Sequence, residues 1–216
     1  MAHEILLYDE IGPEAYGLLG GKWLIDELAK AGGTDVSLRI NSPGGSVFEG
    51  QAMYNALARY PGKVTAYVDS LSASAASFAM MAAPRIVIAQ NAMVMIHNAW
   101  GLTIGNAAAM RQSAELLDKV DKTIVDTYAA RTKQDTAAIA EMMAAETWMT
   151  ASEAVAKGFA DEIGQKLAVK ACVRDGMFNK TPAELLTPAD TVSPRVSAAS
   201  IARRLAMARA LDTARG

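Results

Sequence analysis

The stretch VSLRINSPGGSV at residues 36–47 contains, in order, the signals for a strand, a tight turn and the start of a helix. The β-branched run at 36–41 predicts the strand. Pro43 then fixes one backbone dihedral, and Gly44 and Gly45 allow backbone conformations that are closed to other residues. Backbone N–H groups at such a turn point outward as donors for an anion. The turn lacks the lysine of a phosphate-binding loop, which argues against nucleotide binding.

The same order of strand, helix and strand repeats on both sides of this turn. Short apolar runs that predict strands lie at 4–8, 63–68, 85–90 and 92–97, and helical patterns lie at 12–32 and 46–60. The uncharged stretch SLSASAASFAMMAA at 70–83 predicts a short buried helix. Strands joined by crossover helices favour a largely parallel sheet with right-handed connections. The sequence therefore predicts an α/β fold.

A long helix is predicted at 106–131. Its apolar residues Leu116, Val120, Ile124 and Tyr128 recur every four positions, while its other face is too polar for a core helix. We therefore expect this helix to protrude and to form contacts between subunits.

The composition indicates a soluble chain with one main domain. With 216 residues, 51% of them apolar, the chain can bury a sizeable core, and its net charge of −2 gives no sign of a nucleic-acid partner. Cys172 is the single cysteine, which excludes an intrachain disulfide and a cysteine-based zinc cluster. The first residues do not resemble a signal peptide, and no apolar run reaches the length of a membrane span. We expect a cytoplasmic protein with no membrane partner.

Composition and charge divide the chain into three predicted parts. These are a main domain at 1–165, an extension and linker at 166–199, and a basic amphipathic tail helix at 200–216. The linker is rich in Pro, Thr, Ser and Ala. Residues 1–169 carry a net charge of −6, whereas those from 170 onward carry +4. The tail is therefore either a frayed terminus or a tether that docks on an acidic partner without contributing to chemistry.

Polar groups fall at the ends of successive predicted strands, where α/β sheets place their sites. They are the glycine turn, the serines of the 70–83 stretch, and His97 at the end of AMVMIH. Each has a structural explanation: small residues let helices pack closely, a serine bonds to its own backbone, and a histidine at a strand end is commonly a rim residue. Together they can supply a donor pair, a nucleophile and a general base.

Four motifs make the resemblance specific. INSPGG, SASAAS, VMIH and ETWMTASEAVAKGFADEI occur in this order and resemble the Clp-type serine peptidases of the ClpP family over residues 4–165. The resemblance implies a ClpP/crotonase-like fold with repeated strand–helix units, a largely parallel sheet and a protruding long helix. It also implies a polypeptide substrate and no metal or cofactor.

The resemblance implies a role for each matching residue. Ser74 is the expected nucleophile, His97 the general base and Glu146 the acid, with the backbone N–H groups of Gly45 and Ala75 as the oxyanion hole. The intervals are family-like, with 23 residues from Ser74 to His97 and 49 from His97 to Glu146. The first of these is slightly shorter than in the housekeeping enzymes.

The chain departs from the family pattern at three positions. Ser70 stands in place of a glycine, Ser72 in place of an alanine, and Glu146 in place of an aspartate, so Glu146 as surface charge stays an alternative. Ser77, one helical turn after the nucleophile, is expected to pack inside. Asp161 matches a family position that we interpret as structural.

The start close to the first strand and the basic tail resemble the head maturation proteases of tailed phages. This implies scaffold or capsid proteins as partners, in the host cytoplasm or the prohead, and favours these over an ATPase partner. The family also implies a homo-oligomer of stacked rings, of about six or seven subunits each.

Other functions remain open at this point. A housekeeping-type Clp proteolytic subunit would work with an unfoldase ATPase. A crotonase-like acyl-CoA enzyme shares a related fold but does not need Ser, His and an acid at these intervals. A Ser–Lys peptidase would need a lysine that is absent from a comparable place, and a non-catalytic assembly protein would not react with a serine-directed probe.

Overall fold

The computed structural model describes residues 2–168, 173 and 176–185, which form seven strands and six α-helices. The strands are β1 (His3–Leu7), β2 (Val36–Ser42), β3 (Val64–Ala73), β4 (Arg85–Ala89), β5 (Met93–Ile96), β6 (Thr147–Thr150) and β7 (Glu162–Gly164). The helices are α1 (Gly21–Ala31), α2 (Val47–Arg59), α3 (Ala75–Met80), α4 (Ala107–Thr132), α5 (Thr136–Ala144) and α6 (Ala151–Ala156), and 3-10 turns lie at Glu14–Tyr16 and Ala183–Leu185. The predicted tail helix at 200–216 and the linker from 186 lie outside the described residues.

The sheet confirms the predicted α/β fold with a largely parallel sheet. Its main order is β1-β2-β3-β4-β7, with every neighbouring pair parallel. Strand β3 is long enough to pair with β4 through its first half and with β5 through Leu71–Ala73. Strand β6 then pairs with β5 in the antiparallel sense. The carboxyl ends of β2, β3 and β5 therefore meet at one edge of the sheet.

The strands and short helices enclose one main apolar core. Strand β2 alternates between buried and partly buried residues, while the second half of β3 and all six residues of α3 are buried. A strand that is covered on both faces is expected in a parallel sheet with helices on either side. The segment that carries the serines is therefore packed inside the core, between neighbouring strands and helices.

The predicted helix at 70–83 is wrong in its first half. Residues Ser70–Ala73 belong to β3, and only Ala75–Met80 are helical. The backbone of Leu71–Ala73 pairs with β5, so long-range hydrogen bonds decide the conformation of a stretch whose local composition suits a helix.

The predicted helix at 12–32 is also wrong in its first half. A 3-10 turn at Glu14–Tyr16 precedes α1, and Gly17 adopts a φ of 75° between them. Ile11 bridges to Leu19, so this segment folds back on itself before α1 begins. Helix α5, between α4 and β6, was not predicted.

Helix α4 matches the predicted long helix. Asn106 caps its start by accepting a hydrogen bond from Ala109 N at 3.1 Å. Ile124 and Tyr128 in its second half are buried, whereas Leu116 in its first half is exposed. The first half therefore extends away from the core, as the sequence predicts. None of the helices in the described ranges is both long and apolar enough to cross a membrane.

Part of the predicted extension packs against the main domain. Val173 is fully buried in a small apolar cluster with Leu71, Ala73 and Met95. We refer to residues 176–185 as the strap, because this segment crosses the edge of the sheet near β5 and β6. The strap brings side chains from late in the sequence to the carboxyl ends of β3 and β5.

Candidate active site

The glycine turn after β2 lies directly against the end of β3. Gly44 has a φ of 85°, and a Cβ atom at this position would lie 2.5 Å from Ala73 O and 2.8 Å from Ala75 N. Gly45 has a φ of 140°, and its Cβ would lie 2.0 Å from Ile11 O. Both positions therefore exclude side chains, which lets the backbone of the turn approach the serine stretch closely.

Ser74 occupies a sharp bend between β3 and α3. Its φ of 53° and ψ of −125° are unusual for a residue with a side chain and indicate local backbone strain. Its backbone N–H donates to Met95 O at 2.9 Å, which ties the bend to β5. This conformation directs the Ser74 side chain into a cavity at the edge of the sheet.

His97 follows β5 and contacts the predicted nucleophile. Its Nε2 lies 2.8 Å from Ser74 Oγ. Because β5 pairs in parallel with the end of β3, with Ala73 opposite Met95, the residues that follow the two strands come together. The structure thus brings together the two residues that the sequence predicts as nucleophile and base.

The surroundings of His97 favour its neutral form. Burial of the imidazole lowers its pKa below the ordinary value of 6.5, and the negative charge of Glu146 opposes this change only in part. The neutral ring can accept a proton from Ser74 at neutral pH, as a general base requires.

The backbone N–H groups of Gly45 and Ala75 are available for a ligand. Ala75 is the first residue of α3, so its N–H has no acceptor within the helix. Within the described part of the chain, neither of these two N–H groups donates to a protein acceptor. Both residues line the cavity that contains Ser74 and His97, where an oxyanion would form.

The cavity has a volume of about 370 Å³ and largely apolar walls. Its walls include Phe48, Phe78, Trp100, Tyr128, Met177 and Phe178. Such a cavity suits an apolar side chain of a substrate beside a small number of polar reacting groups.

Glu146 lies close to His97, but its carboxylate forms hydrogen bonds with other residues. Ile96 pairs with Thr147, so the two strands bring His97 and Glu146 near each other. No hydrogen bond joins Glu146 to His97 in the described residues. The structure therefore brings Glu146 near the site, but the expected hydrogen bond between the acid and His97 is not among the contacts of the described residues.

The Glu146 carboxylate instead accepts hydrogen bonds from the strap and from β6. Oε2 accepts from Asn179 N at 2.9 Å and from Asn179 Nδ2 at 3.2 Å, and Oε1 accepts from Lys180 N at 2.5 Å and Trp148 Nε1 at 3.2 Å. Burial alone would raise its pKa, but the hydrogen bonds from Lys180 and Asn179 outweigh this and lower the pKa of Glu146 below 4.5. Glu146 is thus a charged anchor for the strap.

The other serines of the 70–83 stretch do not line the cavity. Ser77 is buried, as predicted, and its hydroxyl lies 2.7 Å from Ser74 O, 2.9 Å from Met95 O and 2.8 Å from the Tyr128 hydroxyl. Ser70 and Ser72 are buried in β3, where the Ser72 hydroxyl has no hydrogen-bond partner among the described residues. Ser74 is therefore the serine of this stretch that can meet a substrate.

Asp161 has the structural role that the sequence predicts. Its Oδ2 accepts from Ile86 N and from Arg131 Nη2, both at 2.7 Å, and so joins β4 to α4. Met177 and Phe178 were not predicted as site residues, because they lie in the predicted extension. Their apolar side chains in an otherwise polar segment were the available signal.

The comparisons with known proteins agree with this architecture. The family model described as Clp protease matches residues 3–167. A solved structure of a ClpP1 point mutant from Listeria monocytogenes aligns with a TM-score of 0.68 and covers 76% of this chain and 92% of its own. Its sequence identity is 21%, so this similarity shows the fold alone.

Several curated proteins are similar in sequence to part of this chain. ATP-dependent Clp protease proteolytic subunit 1 of Mycobacterium leprae is 33% identical over 60% of this chain and 66% of its own length, and subunit 3 of Streptomyces coelicolor is 33% identical over 62% and 63%. Subunit 1 of Mycobacterium bovis is 30% identical over 74% of this chain and 80% of its own. The alignments with the first two thus span slightly less than two thirds of each relative. With its family match over residues 3–167 and its ClpP-like fold, this chain belongs to the Clp protease family.

Proposed function

We propose that the chain is a serine endopeptidase that cleaves polypeptides by acyl transfer. The observation that carries this proposal is the 2.8 Å contact between His97 Nε2 and Ser74 Oγ, inside a cavity lined by two residues whose backbone N–H groups have no protein acceptor in the described residues. Ser74 attacks the peptide carbonyl while His97 takes its proton. His97 then gives the proton to the leaving amine, and water releases the acyl group by the reverse sequence.

The oxyanion of the tetrahedral intermediate is stabilised by the backbone N–H groups of Gly45 and Ala75. Each donor of this kind typically lowers the barrier by about 3 kcal/mol. The donors are held by a tightly packed turn and a helix start, so they need little reorganisation during the reaction. We propose that the negative charge of Glu146 stabilises the imidazolium that forms when His97 accepts the proton.

The relatives favour a Clp proteolytic subunit over a phage head maturation protease. Their names describe ATP-dependent proteolytic subunits of bacteria, which supports the housekeeping-type alternative from the sequence analysis. They give no support to a scaffold or capsid substrate. From these names we propose an ATPase partner for this chain as well. The proposal is supported if the chain degrades a folded protein when an unfoldase and ATP are added, and does not degrade it without them.

We also propose a homo-oligomer in which the projecting part of α4 contacts another subunit. Trp100, Leu102 and Ile104 before the helix are exposed, as are Met110 and Leu116 in its first half. Large apolar residues that are exposed and close together along the chain are typical of an interface. Light scattering should give a mass of many subunits, and a fully active monomer at micromolar concentration would contradict the proposal.

A serine-directed probe tests the chemistry directly. We expect a fluorophosphonate to label the wild-type chain on Ser74, and Ser74→Ala to reduce labelling and peptide hydrolysis at least about 1,000-fold. Ser72→Ala is the matched control, because Ser72 lies two residues away and its hydroxyl is buried without a hydrogen bond in the part of the chain that the structure describes. Labelling that survives in Ser74→Ala would refute the assignment, and turnover of an acyl-CoA thioester would favour the crotonase-like alternative.

A further inference from the structure

The strap reaches the site from a point far along the chain. Phe178 lies 81 positions after His97, yet their ring centroids are 5.3 Å apart and the ring planes meet at 86°. The same ring lies 5.6 Å from that of Trp148, at 76°. The edge-to-face arrangement is a favoured one for aromatic pairs, so the Phe178 ring packs stably against one side of the imidazole.

The strap is held in this place by several independent contacts. Four N–H groups from three residues converge on the Glu146 carboxylate, and three of those groups belong to Asn179 and Lys180. Lys180 Nζ also donates to Ala145 O at 2.5 Å. A carboxylate offers about four acceptor positions, so the capacity of Glu146 is already used without His97. Its direct partner is therefore the strap.

The site remains accessible with the strap in place. The contact between Ser74 and His97 is formed, the oxyanion donors are free of protein acceptors in the described residues, and Met177 and Phe178 form a wall of the cavity. A segment that blocked the site would fill this space or separate the pair. The strap instead completes the site.

We propose that Phe178 is a positioning residue for His97, and that Glu146 supports catalysis mainly by anchoring the strap that carries Phe178. This inference rests on the proposed function, since it assigns a role to residues around the same Ser74 and His97. In this arrangement an aromatic ring holds the imidazole in the orientation that a hydrogen-bonded carboxylate would otherwise impose. The carboxylate contributes its charge from a distance.

The groups around His97 determine how the loss of the Phe178 ring would change the pKa of His97. The bend before α3 provides the Ser74 hydroxyl, the turn before β6 provides the charge of Glu146, and the strap provides the uncharged ring of Phe178. Glu146 is the one charged group in the described residues that shifts the pKa of His97, and it raises that pKa. Removal of the Phe178 ring admits water and relieves the burial that lowers the pKa. The pKa of His97 should then rise.

The test follows the labelling rate of Ser74 with a fluorophosphonate against pH, in the full chain. Phe178→Ala should move the acidic limb of this profile to higher pH by about half a unit or more, and should lower the plateau rate about tenfold. Phe178→Leu keeps an apolar cover and should retain the wild-type limb with an intermediate plateau. Phe48→Ala removes another phenylalanine of the same cavity, whose ring does not stack on His97 as the Phe178 ring does, and should leave the limb in place.

A second measurement does not depend on activity. The chain has only two histidines, so NMR of the imidazole protons can follow the titration of His97. In Phe178→Ala the pKa of His97 should rise above its wild-type value. The double variant Phe178→Ala with Glu146→Gln should lose less than the product of the two single effects on the plateau rate, because both variants release the same segment.

Each outcome decides the inference. A shifted limb and a raised pKa of His97 in Phe178→Ala, but not in Phe48→Ala, support it. Ser74-dependent labelling with an unchanged limb overturns the role of Phe178 and leaves the proposed function intact. Independent, multiplying effects of Phe178→Ala and Glu146→Gln would show that Glu146 acts on His97 directly. An absence of Ser74-dependent labelling in the wild-type chain would overturn the proposed function, and this inference with it.

Discussion

The two sides of the candidate site are built in different ways. On the nucleophile side, Gly45, Ser74 and Ala75 are placed by backbone geometry: a turn without side chains lies against a strained bend between a strand and a helix. On the acid side, strand pairing brings Glu146 near the site, and its carboxylate is held by hydrogen bonds from Asn179, in a segment more than 30 positions later in the chain. The first arrangement depends on close packing, and the second on a long-range connection.

This difference shows how each side should respond to change. A tightly packed backbone tolerates no added atoms, because neighbouring strands and helices cannot move independently. A carboxylate bound by a surface segment can lose a partner while the rest of the fold stays intact. Substitutions on the nucleophile side should therefore affect chemistry and stability strongly, and those on the acid side should have smaller effects that depend on pH.

The largest of these effects is expected for Gly45→Ala. The added Cβ would lie 2.0 Å from Ile11 O at a φ of 140°, so the turn must shift and take its N–H away from the oxyanion position. We expect labelling of Ser74 by a fluorophosphonate to fall at least about 100-fold, and the free energy of unfolding to drop by about 2–4 kcal/mol. Labelling rates and urea denaturation measure the two quantities.

Gly17→Ala is the matched control for this substitution. Gly17 also has a positive φ, of 75°, but nothing lies within 4 Å of its added Cβ. Gly17→Ala should lower the free energy of unfolding by only about 1 kcal/mol, because alanine disfavours a positive φ. Labelling of Ser74 should stay unchanged. If Gly45→Ala labelled as fast as Gly17→Ala, the oxyanion hole would not depend on the turn.

A smaller effect, with a defined pH dependence, is expected for Glu146→Gln. The amide cannot accept all the N–H groups that the carboxylate accepts, so the free energy of unfolding should fall by about 1–3 kcal/mol at neutral pH. Because folding lowers the pKa of Glu146, its charge stabilises the folded state above the ordinary pKa of 4.5. This contribution disappears as the pH falls through the lower pKa of the folded state. Denaturation of both proteins at a series of pH values measures the difference.

Glu141→Gln provides the control for the acid side. Glu141 is an exposed carboxylate on α5, a few residues before Glu146. Its substitution should leave the stability within about 0.5 kcal/mol at every pH. A difference between wild type and Glu146→Gln that grew towards acidic pH would contradict the proposed anchoring of the strap.

The sequence predicted much of the fold and half of the site geometry. The local signals of Gly45, Ser74 and His97 identify groups that the structure places around one cavity. The long helix also begins and ends close to its predicted bounds, because its cap and apolar repeat are local features. The helix at 70–83 was wrong in part, since pairing with β5 outweighs the composition of Ser70–Ala73. Phe178 was missed, because no local pattern relates it to His97.

By itself the sequence determined the parts whose cause lies within a few neighbouring residues. These are the alternation of strands and helices, the turn at Gly44 and Gly45, and the presence of a serine and a histidine at the ends of strands. Tertiary structure alone decided the bend at Ser74, because it forms only where β3 pairs with β5 and the turn lies against it. It also decided the partner of Glu146, since contacts between distant segments depend on how the whole chain closes around the sheet.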